Sequence, residues 1–415
     1  MFVSRLDRPW LGTPFLIQGL LVKTQEDIDN FRRWCRYVYI DTERGVDAPY
    51  SIDASRWENL LQTGLMSAAA QASYAGDYQV DFAHEIGVAR DLLTTADALL
   101  RAMLNDVRLH KRLNAGQAKF AVADMAQSIM RNPDAMLFLT ALKDKDQYTT
   151  QHSINVCILA LAFGRELGLP MGDLVLLGLG ALLHDIGKMA TPEEILNKPG
   201  ELTPGEWQIV KRHVTDGVRL LEHVPGFPER SIEIVQRHHE RFDGSGYPEG
   251  LSGKAIGLFG LIASVTDVYD AMTSERVYRS AVTSYEALKH LFESRNATFD
   301  SELVLRFIQC LGVYPVGSLV ELSSGEVGLV VSVHPAYRLR PRVRIILDPQ
   351  GKRYPSSFIV DLMNQFVAPG SVPLEVVGVV NPATYDLDLG KYLQEETGLQ
   401  KSGGSSSSLV IDLPE

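Results

Sequence analysis

Two short runs near the middle of the chain carry side chains that bind metals. They are residues 184–188 (HDIGK) and residues 238–248 (HHERFDGSGYP). The first run opens with His184 and Asp185, and this pair of an imidazole and a carboxylate suits Fe, Mn, Zn or Ni. The second run adds the adjacent imidazoles of His238 and His239 from a separate segment. Together the runs predict a site for a first-row transition metal, and we interpret the chain as a metallohydrolase.

Three residues outside these runs lie in predicted helices where a polar side chain needs a partner. His213 falls on the apolar stripe of the helix that starts after Thr203, where a lone histidine is usually structural. Asp267 follows the apolar residues 258–266, and a carboxylate in such a helix is costly unless it is paired or metal-bound. His152 opens a predicted helix with an apolar far face, and alone it is as consistent with a surface residue as with a ligand.

The whole set of polar residues is more informative than any single member. Five of the ten histidines and two aspartates occupy successive predicted helices of one region. Asp270 lies one helical turn beyond Asp267, and the glycines and proline after His239 indicate an ordered turn. We therefore predict one metal site built from residues that are distant in sequence. Its members are His152, His184, Asp185, His213, His238, His239 and Asp267.

Composition and charge narrow the class of protein. The 415 residues, of which 45% are hydrophobic, suffice for two or three folded units. A formal net charge of -11 argues against a surface for duplex nucleic acid, because such a surface needs an excess of basic residues. An anionic substrate stays compatible with this charge if bound metal ions supply local positive charge.

The cysteine content and the hydropathy pattern favour a cytoplasmic protein. Cys35, Cys157 and Cys310 are too few and too dispersed for a disulfide scaffold or a thiolate zinc site. The N-terminus lacks the apolar segment of a signal peptide, and no run approaches the ~20 apolar residues of a membrane span. We expect a soluble protein without a transmembrane segment, in a reducing cytoplasm.

The predicted elements give a mainly α protein with two small flanking modules. Strand-like residues 15–22 and 37–40 surround a helix that opens at Thr24, which indicates a small α+β unit. Residues rich in Ala, Ser, Gly and Gln follow, and they are typical of a linker. Helical periodicity then begins near Asp81 and continues to about Gly312.

Start and stop signals locate several of the predicted helices. Thr203 and Glu206 form a capping-box pattern with a proline between them, and a second pattern of this kind begins at Thr283. Asp300 and Gly312 bracket the last predicted helix. These signals predict that the helical region continues, without a β-strand, through all the candidate ligands.

The sequence pattern changes from helical to strand-like after the last predicted helix. Short strands at 318–322, 327–333 and 343–347, with a turn at 348–351, predict a small β module. The Ser- and Gly-rich end predicts disorder in part of the tail. The predicted organisation is 1–66 as a small α+β domain, 67–80 as a linker, 81–140 as a helical connector, 141–312 as the catalytic domain, 313–390 as the β module and 391–415 as the tail.

The metal-binding runs resemble the HD-GYP domain, a branch of the HD-domain phosphohydrolases. The resemblance covers about residues 141–311, and the ordered series that ends in Gly-Tyr-Pro is far more specific than a bare His-Asp pair. It implies an all-helical HD-type metallohydrolase domain. It also implies hydrolysis of the bacterial second messenger cyclic di-GMP to the linear dinucleotide pGpG and on to GMP.

The N-terminal region carries a second resemblance. Residues 1 to about 130 resemble the uncharacterised domain found beside some HD-GYP domains. The sequence leaves open whether the flanking modules sense a signal, form a homodimer or bind signalling proteins. The residues that carry this resemblance are Pro9-Trp10, Pro14-Phe15 and Ile40-Asp41.

The HD-GYP resemblance assigns a role to each candidate residue. It implies that Asp185 bridges two metals and that Asp185 and Lys188 are catalytic. The implied metal ligands are His152, His184, Asp185, His213, His238, His239 and Asp267. The implied substrate-binding residues are Lys188, Tyr247, Asp270, Arg276 and Arg279.

One departure from the family pattern bears on the number of metals. Family members that bind three metals place a glutamate four residues before the histidine at the position of His152. Here that position is Tyr148, a poor ligand when neutral. We therefore expect two divalent transition metal ions, with iron or manganese first and nickel, zinc or magnesium as alternatives.

The implied residues suit phosphodiester hydrolysis. Metals lower the pKa of bound water from 15.7 to about 7, so two metals bridged by Asp185 can hold a hydroxide for attack. Lys188 can contact a phosphate oxygen as a point charge. Arg276 and Arg279 can fork onto the second phosphate of a cyclic dinucleotide. Tyr247 can donate a hydrogen bond or offer a flat face to guanine.

Two other classes of function stay open at this point. One is a non-catalytic cyclic di-GMP receptor, which degenerate ligands would favour, whereas the main ligands are present here. The other is a different HD-type metalloenzyme, either a nucleotidase or a di-iron oxygenase. The complete Gly-Tyr-Pro segment and the paired Arg276 and Arg279 argue against this second class.

Overall fold

The chain divides into two compact units, Met1–Asp77 and Tyr78–Glu415. The structure is a computed structural model. It describes residues 2–6, 20–21, 38–40, 79–80, 82–109, 113–141, 148–196, 198, 200–274, 281–334, 337–365, 372–381, 384–385, 387 and 392.

The described part of the first unit is a three-stranded antiparallel sheet. Its strands are β1 (Phe2–Leu6), β2 (Leu20–Leu21) and β3 (Val38–Ile40), in the order β2-β1-β3. The strands predicted at 15–22 and 37–40 are confirmed for β2 and β3. The central strand β1 was not predicted, and the helix predicted from Thr24 lies outside the described residues.

The second unit is mainly α-helical, which confirms the predicted fold class. A 3₁₀ helix, Ile186–Ala190, follows α5, and another, Gly253–Ile256, precedes α10. The α-helices of the described residues are α1 (Phe82–Arg108), α2 (Ala115–Arg131), α3 (Pro133–Ala141), α4 (Tyr148–Glu166), α5 (Met171–Leu182), α6 (Glu193–Leu196), α7 (Pro204–Lys211), α8 (His213–Glu222), α9 (Glu229–Arg237), α10 (Leu258–Thr273), α11 (Ser284–Glu293) and α12 (Ser301–Leu311).

The local signals read from the sequence set the helix ends. Thr203 caps α7 and Thr283 caps α11, each in a complete capping box. The Asp300 side chain accepts a hydrogen bond from the backbone N–H of Leu303 at the start of α12. Gly312 ends that helix with a φ of 82°. The starts of all three helices and the end of α12 are therefore predicted correctly.

One predicted helix is broken in two. The sequence predicts a single helix from Thr203 through His213, whereas α7 ends at Lys211 and α8 begins at His213. The break has a packing cause, because α8 lies directly against the 3₁₀ helix that carries Gly187. A Cβ on Gly187 would lie 1.9 Å from the backbone oxygen of His213, so only glycine permits this approach.

Four helices form the core that holds the candidate ligands. Helix α4 packs on α5 and α10, and α9 packs on α5 and α10. The Phe163 ring of α4 lies edge-on to Phe307 of α12 at 5.2 Å, and both side chains are fully buried. At the end of α5, a Cβ on Gly180 would lie 2.6 Å from the backbone oxygen of Ser231 in α9. This close contact brings the ends of α5 and α9 together.

Helices α1 to α3 pack on the same core. Helices α1, α2 and α3 each contact α4, and α2 also contacts α5. A buried carboxylate, Glu85 of α1, accepts hydrogen bonds from Ser128 and Arg131 of α2. Helices α1 to α3 therefore belong to the packed helical body, and the domain bounds predicted above stay predictions.

The C-terminal module is a five-stranded antiparallel sheet in the order β7-β6-β5-β4-β8. The three predicted strands are confirmed, although β6 begins earlier than predicted, and β7 and β8 were not predicted. Among the described helices, none combines the length and the apolar character that a membrane crossing requires. The strands are β4 (Leu319–Leu322), β5 (Val327–His334), β6 (Tyr337–Leu347), β7 (Arg353–Asp361) and β8 (Val376–Val379).

Candidate metal centre

The His184-Asp185 pair lies in the turn between α5 and the following 3₁₀ helix. Both side chains are buried. The Nδ1 atom of His184 lies 2.8 Å from the backbone oxygen of Ala181. A carbonyl oxygen only accepts hydrogen bonds, so Nδ1 carries the proton and Nε2 keeps its lone pair. The turn thus aims one imidazole nitrogen and one carboxylate at the same interior point.

Three other buried histidines are oriented in the same way. His213 at the start of α8 donates from Nδ1 to the Val210 oxygen at 2.7 Å. His238, just after α9, donates from Nδ1 to the Val235 oxygen at 2.9 Å. His152, in the second turn of α4, has its Nδ1 2.8 Å from a carboxylate oxygen of Asp270. Partners of this kind orient histidines that bind metals.

The two oxygens of Asp185 face two different pairs of imidazoles. Its Oδ1 atom lies 3.4 Å from Nε2 of His213 and 3.9 Å from Nε2 of His238. Its Oδ2 atom lies 3.3 Å from Nε2 of His184 and 3.7 Å from Nε2 of His152. Asp185 therefore lies between two groups of nitrogen donors, as a bridging carboxylate must.

Asp267 of α10 brings a second carboxylate to the same centre. Its Oδ1 atom lies 3.2 Å from Nε2 of His152 and 3.9 Å from Nε2 of His184. Its Oδ2 atom lies 3.9 Å from Nδ1 of His239. The structure thus brings together all seven side chains that the sequence predicts around a metal site.

Among the residues that the structure describes, two buried atoms of this centre have no hydrogen-bond partner, namely Nε2 of His184 and Oδ1 of Asp185. An unsatisfied buried polar atom costs about 1–3 kcal/mol, and a divalent cation would satisfy both atoms. The donor set therefore fits a metal ion. Two groups of residues have donor atoms within 4.8 Å of one another, and they are Asp185, His213, His238 and His239, and His152, His184 and Asp185.

Burial and nearby charges keep most of these histidines neutral and Asp185 ionised, which are the states that bind metals. Burial lowers the pKa of His213 and His238, and it lowers that of His239 to about 3, so these imidazoles stay neutral. Burial opposes ionisation of the two carboxylates. The nearby charge of Lys188 nevertheless holds the pKa of Asp185 well below its ordinary value.

His152 differs from the other histidines in its electrostatics. Burial disfavours its charged form, but hydrogen bonds to Asp267 and Asp270 outweigh burial and raise its pKa to about 9. Binding of a cation at Nε2 of His152 therefore has to release a proton. The Asp270 carboxylate can accept the Nδ1–H of His152 in both the neutral and the charged state of the imidazole.

The structure places three of the five residues that are predicted to contact substrate. The Lys188 ammonium bonds to Oδ2 of Asp185 and is half-buried. The Tyr247 ring lies 4.7 Å from the His239 ring, tilted by 30°. Arg276 and Arg279 lie outside the described residues, as does the side chain of Tyr148.

Asp270 lies on the inner side of His152. Its carboxylate accepts from Nδ2 of Asn155 at 3.0 Å and from Ser274 at 3.2 Å, in addition to its contact with His152. The side chain is almost fully buried, behind the ring that faces the metal centre. This geometry fits a group that orients His152, in contrast to the predicted contact with substrate.

Glu240 is a site residue that the sequence reasoning missed. Its buried carboxylate accepts backbone N–H groups of Glu249 at 2.8 Å, Gly250 at 3.2 Å and Leu251 at 2.9 Å. These bonds hold the loop just after Tyr247. A charged residue directly after two ligand histidines was the available signal, although its partners come from a loop that the sequence does not locate.

Comparison with known proteins divides the chain into three matched regions. The HD domain family matches residues 137–303. A domain of unknown function (DUF3391) matches residues 1–118, and a KOW domain associated with the HD domain matches residues 319–367. The three matches follow the chain in the order expected for an N-terminal module, a helical metal-binding domain and a β module.

Individual relatives extend these matches. The cyclic di-GMP phosphodiesterase PA4108 of Pseudomonas aeruginosa is 36% identical over 407 residues, which cover 98% of this chain and 95% of that protein. The 3'3'-cGAMP-specific phosphodiesterase 1 of Vibrio cholerae is 44% identical over 37% of this chain and 36% of its own length. The cyclic di-GMP phosphodiesterase response regulator RpfG of Xanthomonas campestris is 40% identical over 40% of this chain and 44% of its own length.

Proposed function

The chain belongs to the HD-GYP family of HD-domain phosphohydrolases, and from this premise we propose that it is a metal-dependent phosphodiesterase that hydrolyses cyclic di-GMP. The relative that matches almost the whole chain bears that activity in its name. The shorter match to a 3'3'-cGAMP-specific enzyme makes cGAMP the alternative substrate. Both substrates are cyclic dinucleotides, so the choice concerns one base and not the type of reaction.

One observation carries the proposal, and it is the position of Asp185 between two groups of imidazoles. Each oxygen of this carboxylate faces its own pair of Nε2 atoms, at 3.3–3.9 Å. A structural ion pair would not need two pairs of imidazoles whose Nε2 atoms approach one carboxylate from two sides. In this proposal His213, His238 and His239 would hold one metal ion, His152, His184 and Asp267 would hold a second, and Asp185 would contribute to both.

Bound divalent metals would supply a hydroxide at neutral pH and positive charge for the phosphate oxygens. The number of metals rests on Tyr148, which takes the place of a third-site glutamate in the sequence. Iron or manganese is the expected identity, because mixed imidazole and carboxylate ligands suit these metals. Nickel, zinc or magnesium would be the alternatives.

The other residues of the chain bind and orient the substrate in this proposal. The Lys188 ammonium, next to Asp185, would contact the scissile phosphate as a point charge. Tyr247, beside His239, would contact the same phosphate or a guanine base of the substrate. Arg276 and Arg279 stay predicted ligands of the second phosphate. We assign Asp270 to the orientation of His152, because its carboxylate is buried against that ring.

The proposal includes a sequence of products. A single cleavage opens the ring and gives pGpG, which keeps one uncut phosphodiester and can bind again. The flexible dinucleotide loses more entropy on binding than the ring does, so its cleavage to GMP should be slower. We therefore expect pGpG to accumulate first and GMP later.

The test is a time course with the purified full chain, cyclic di-GMP and either Mn(II) or anaerobic Fe(II), with products separated by chromatography. The proposal predicts pGpG followed by GMP, and no turnover after metal removal. The same assay with 3'3'-cGAMP decides between the two substrates. Tight binding of cyclic di-GMP without any cleavage, with either metal, would instead favour a receptor.

Domain organisation, location and partners stay predictions. The bounds 1–66, 67–80, 81–140, 141–312, 313–390 and 391–415 describe the proposed organisation. Location in the bacterial cytoplasm rests on the low cysteine content. A homodimer or signalling partners bound through the flanking domains would be compatible with this organisation.

A further inference from the structure

A group of aromatic and basic side chains borders the metal centre on the side of Tyr247. Trp207 and Lys211 lie one turn apart on α7, and both face Tyr247. The ring centroids of Trp207 and Tyr247 are 6.5 Å apart. The Lys211 ammonium lies 4.8 Å from the Tyr247 centroid and 5.7 Å from the Trp207 centroid. We refer to Trp207, Lys211 and Tyr247 as the aromatic–lysine cluster.

The aromatic–lysine cluster is continuous with the metal centre. The Tyr247 ring is 4.7 Å from the ring of His239, and His239 in turn lies 3.9 Å from Asp267. Tyr247 contacts His239 on one side and Trp207 on the other. Trp207 is 44% exposed although it is a large aromatic residue. A nucleotide whose phosphate lies at the metals would extend its base along this line.

The charge of Lys211 is free to serve a ligand. Within the described part of the chain, its ammonium forms no ion pair, and its contacts are with the faces of the two aromatic rings. Cation–π contacts of this kind hold an ammonium in place without neutralising it. The cluster therefore combines a positioned hydrogen-bond donor with an exposed aromatic face.

We propose that the aromatic–lysine cluster binds one purine base of the cyclic dinucleotide and prefers guanine to adenine. The base would stack on the exposed face of Trp207, and Lys211 would donate to its O6 and N7 atoms. Guanine presents two acceptors on this edge, whereas adenine replaces one of them with an amino group that repels the ammonium. The inference rests on the proposed function and adds the residues that select the base.

The selection of the base can be measured with Lys211→Met, which keeps the length of the side chain and removes its donors. Hydrolysis of cyclic di-GMP and of cyclic di-AMP is followed with the Mn-loaded full chain. We expect kcat/KM for cyclic di-GMP to fall about 10-fold, mainly through KM, while that for cyclic di-AMP changes less than about 2-fold. Lys119→Met, at an exposed position of α2, is the matched control and should change neither value.

The stacking face is tested separately with Trp207→Ala. We expect KM for both dinucleotides to rise about 10-fold in this variant, because stacking does not distinguish the purines. Trp207→Phe should restore most of the loss, which a purely structural role of the indole would not predict. Phe120→Ala, at a 74% exposed aromatic position of α2, is the matched control and should leave both KM values unchanged.

Equal losses for the two dinucleotides in Lys211→Met, or no loss for either, would overturn the selection of guanine. If Lys211→Met unfolds, Lys211→Gln provides the same comparison. If the wild-type chain cleaves neither dinucleotide, the proposed function fails, and dissociation constants from calorimetry replace kcat/KM. A preference for cyclic di-GMP that Lys211→Met removes would then support the inference alone, whereas equal affinities in the wild type would contradict it.

Discussion

Two buried carboxylates of the helical region are in opposite situations. Glu85 of α1 has both oxygens satisfied, because Oε1 accepts from Ser128 and Arg131 at 2.7 Å each and Oε2 accepts from Arg131 at 2.8 Å. Asp185 has a buried Oδ1 atom that accepts no hydrogen bond from the described part of the chain. Both groups are costly to bury, but among the described residues only Glu85 has a hydrogen-bond partner for each of its oxygens.

The contrast separates a structural carboxylate from one that serves a ligand. Glu85 joins α1 to α2, so its hydrogen bonds stabilise the packing of these helices. Asp185 faces four inward-directed imidazole nitrogens, and its missing partner is of the kind that a cation supplies. Removal of Glu85 should therefore cost stability and spare activity, whereas removal of Asp185 should do the reverse.

The largest expected effect is the loss of hydrolysis in Asp185→Ala. We expect kcat/KM for cyclic di-GMP to fall about 1000-fold or more, because both groups of imidazoles lose their shared carboxylate. The variant should still fold, as judged by circular dichroism and a cooperative thermal transition. Near-normal turnover by a well-folded Asp185→Ala protein would show that the metal mechanism is wrong.

The next effect concerns Asp270, where orientation and substrate contact predict different outcomes. If Asp270 orients His152, Asp270→Asn should weaken metal affinity about 10- to 100-fold, and excess metal should restore much of the turnover. Metal affinity is measured by competition with a chelator. An unchanged metal affinity together with a raised KM would return Asp270 to the role of substrate contact that the sequence predicted.

Glu85→Gln should destabilise the protein without affecting its chemistry. The amide keeps the shape of the side chain but loses charge-assisted bonds, so we expect the free energy of unfolding to fall by about 1–2 kcal/mol. Denaturant unfolding measures this loss. The value of kcat/KM well below the unfolding transition should stay at the wild-type level, and a large fall there would erase the contrast with Asp185.

The smallest effect is a dependence of stability on pH. Burial alone would raise the pKa of Glu85, but its bonds to Arg131 and Ser128 lower it below the ordinary value. A lowered folded-state pKa contributes stability above the unfolded-state value of about 4.3, and acidification through the folded-state pKa removes it. The stability difference between wild type and Glu85→Gln should therefore shrink as the pH falls below about 4.5. A constant difference over this range would contradict the assignment.

Local chemistry explains which parts of the fold were predictable. The starts of α7, α11 and α12 and the end of α12 follow from caps that lie within a few residues of each helix. The break between α7 and α8 depends on Gly187, a residue of another element, and no local signal marks it. Strand β7 reads RYPSSFIVD, and its proline and serines hide the alternation that identifies a strand.

In the candidate site, too, some features could be predicted from the sequence and others depend on contacts that the sequence does not reveal. The seven side chains expected around the metals were found because histidines and buried aspartates are rare enough to stand out in sequence. The hydrogen bonds of Asp270 and Glu240 were not predicted, because their partners are Asn155 in α4 and the backbone of a loop 9 to 11 residues after Glu240. The position of Trp207 beside Tyr247 was not predicted either, since an exposed tryptophan gives no sign of its neighbours until α7 is placed.

The most direct test of a metal centre that Asp185 bridges is the metal content of the reconstituted full chain. The protein is loaded with Mn(II), or with Fe(II) under anaerobic conditions, freed of loosely bound ions and measured by elemental analysis beside Asp185→Ala. A centre bridged by Asp185 predicts two tightly bound ions per chain in the wild type and at most one in the variant. Three ions in the wild type, or two ions retained by Asp185→Ala, would contradict the bridged two-metal centre.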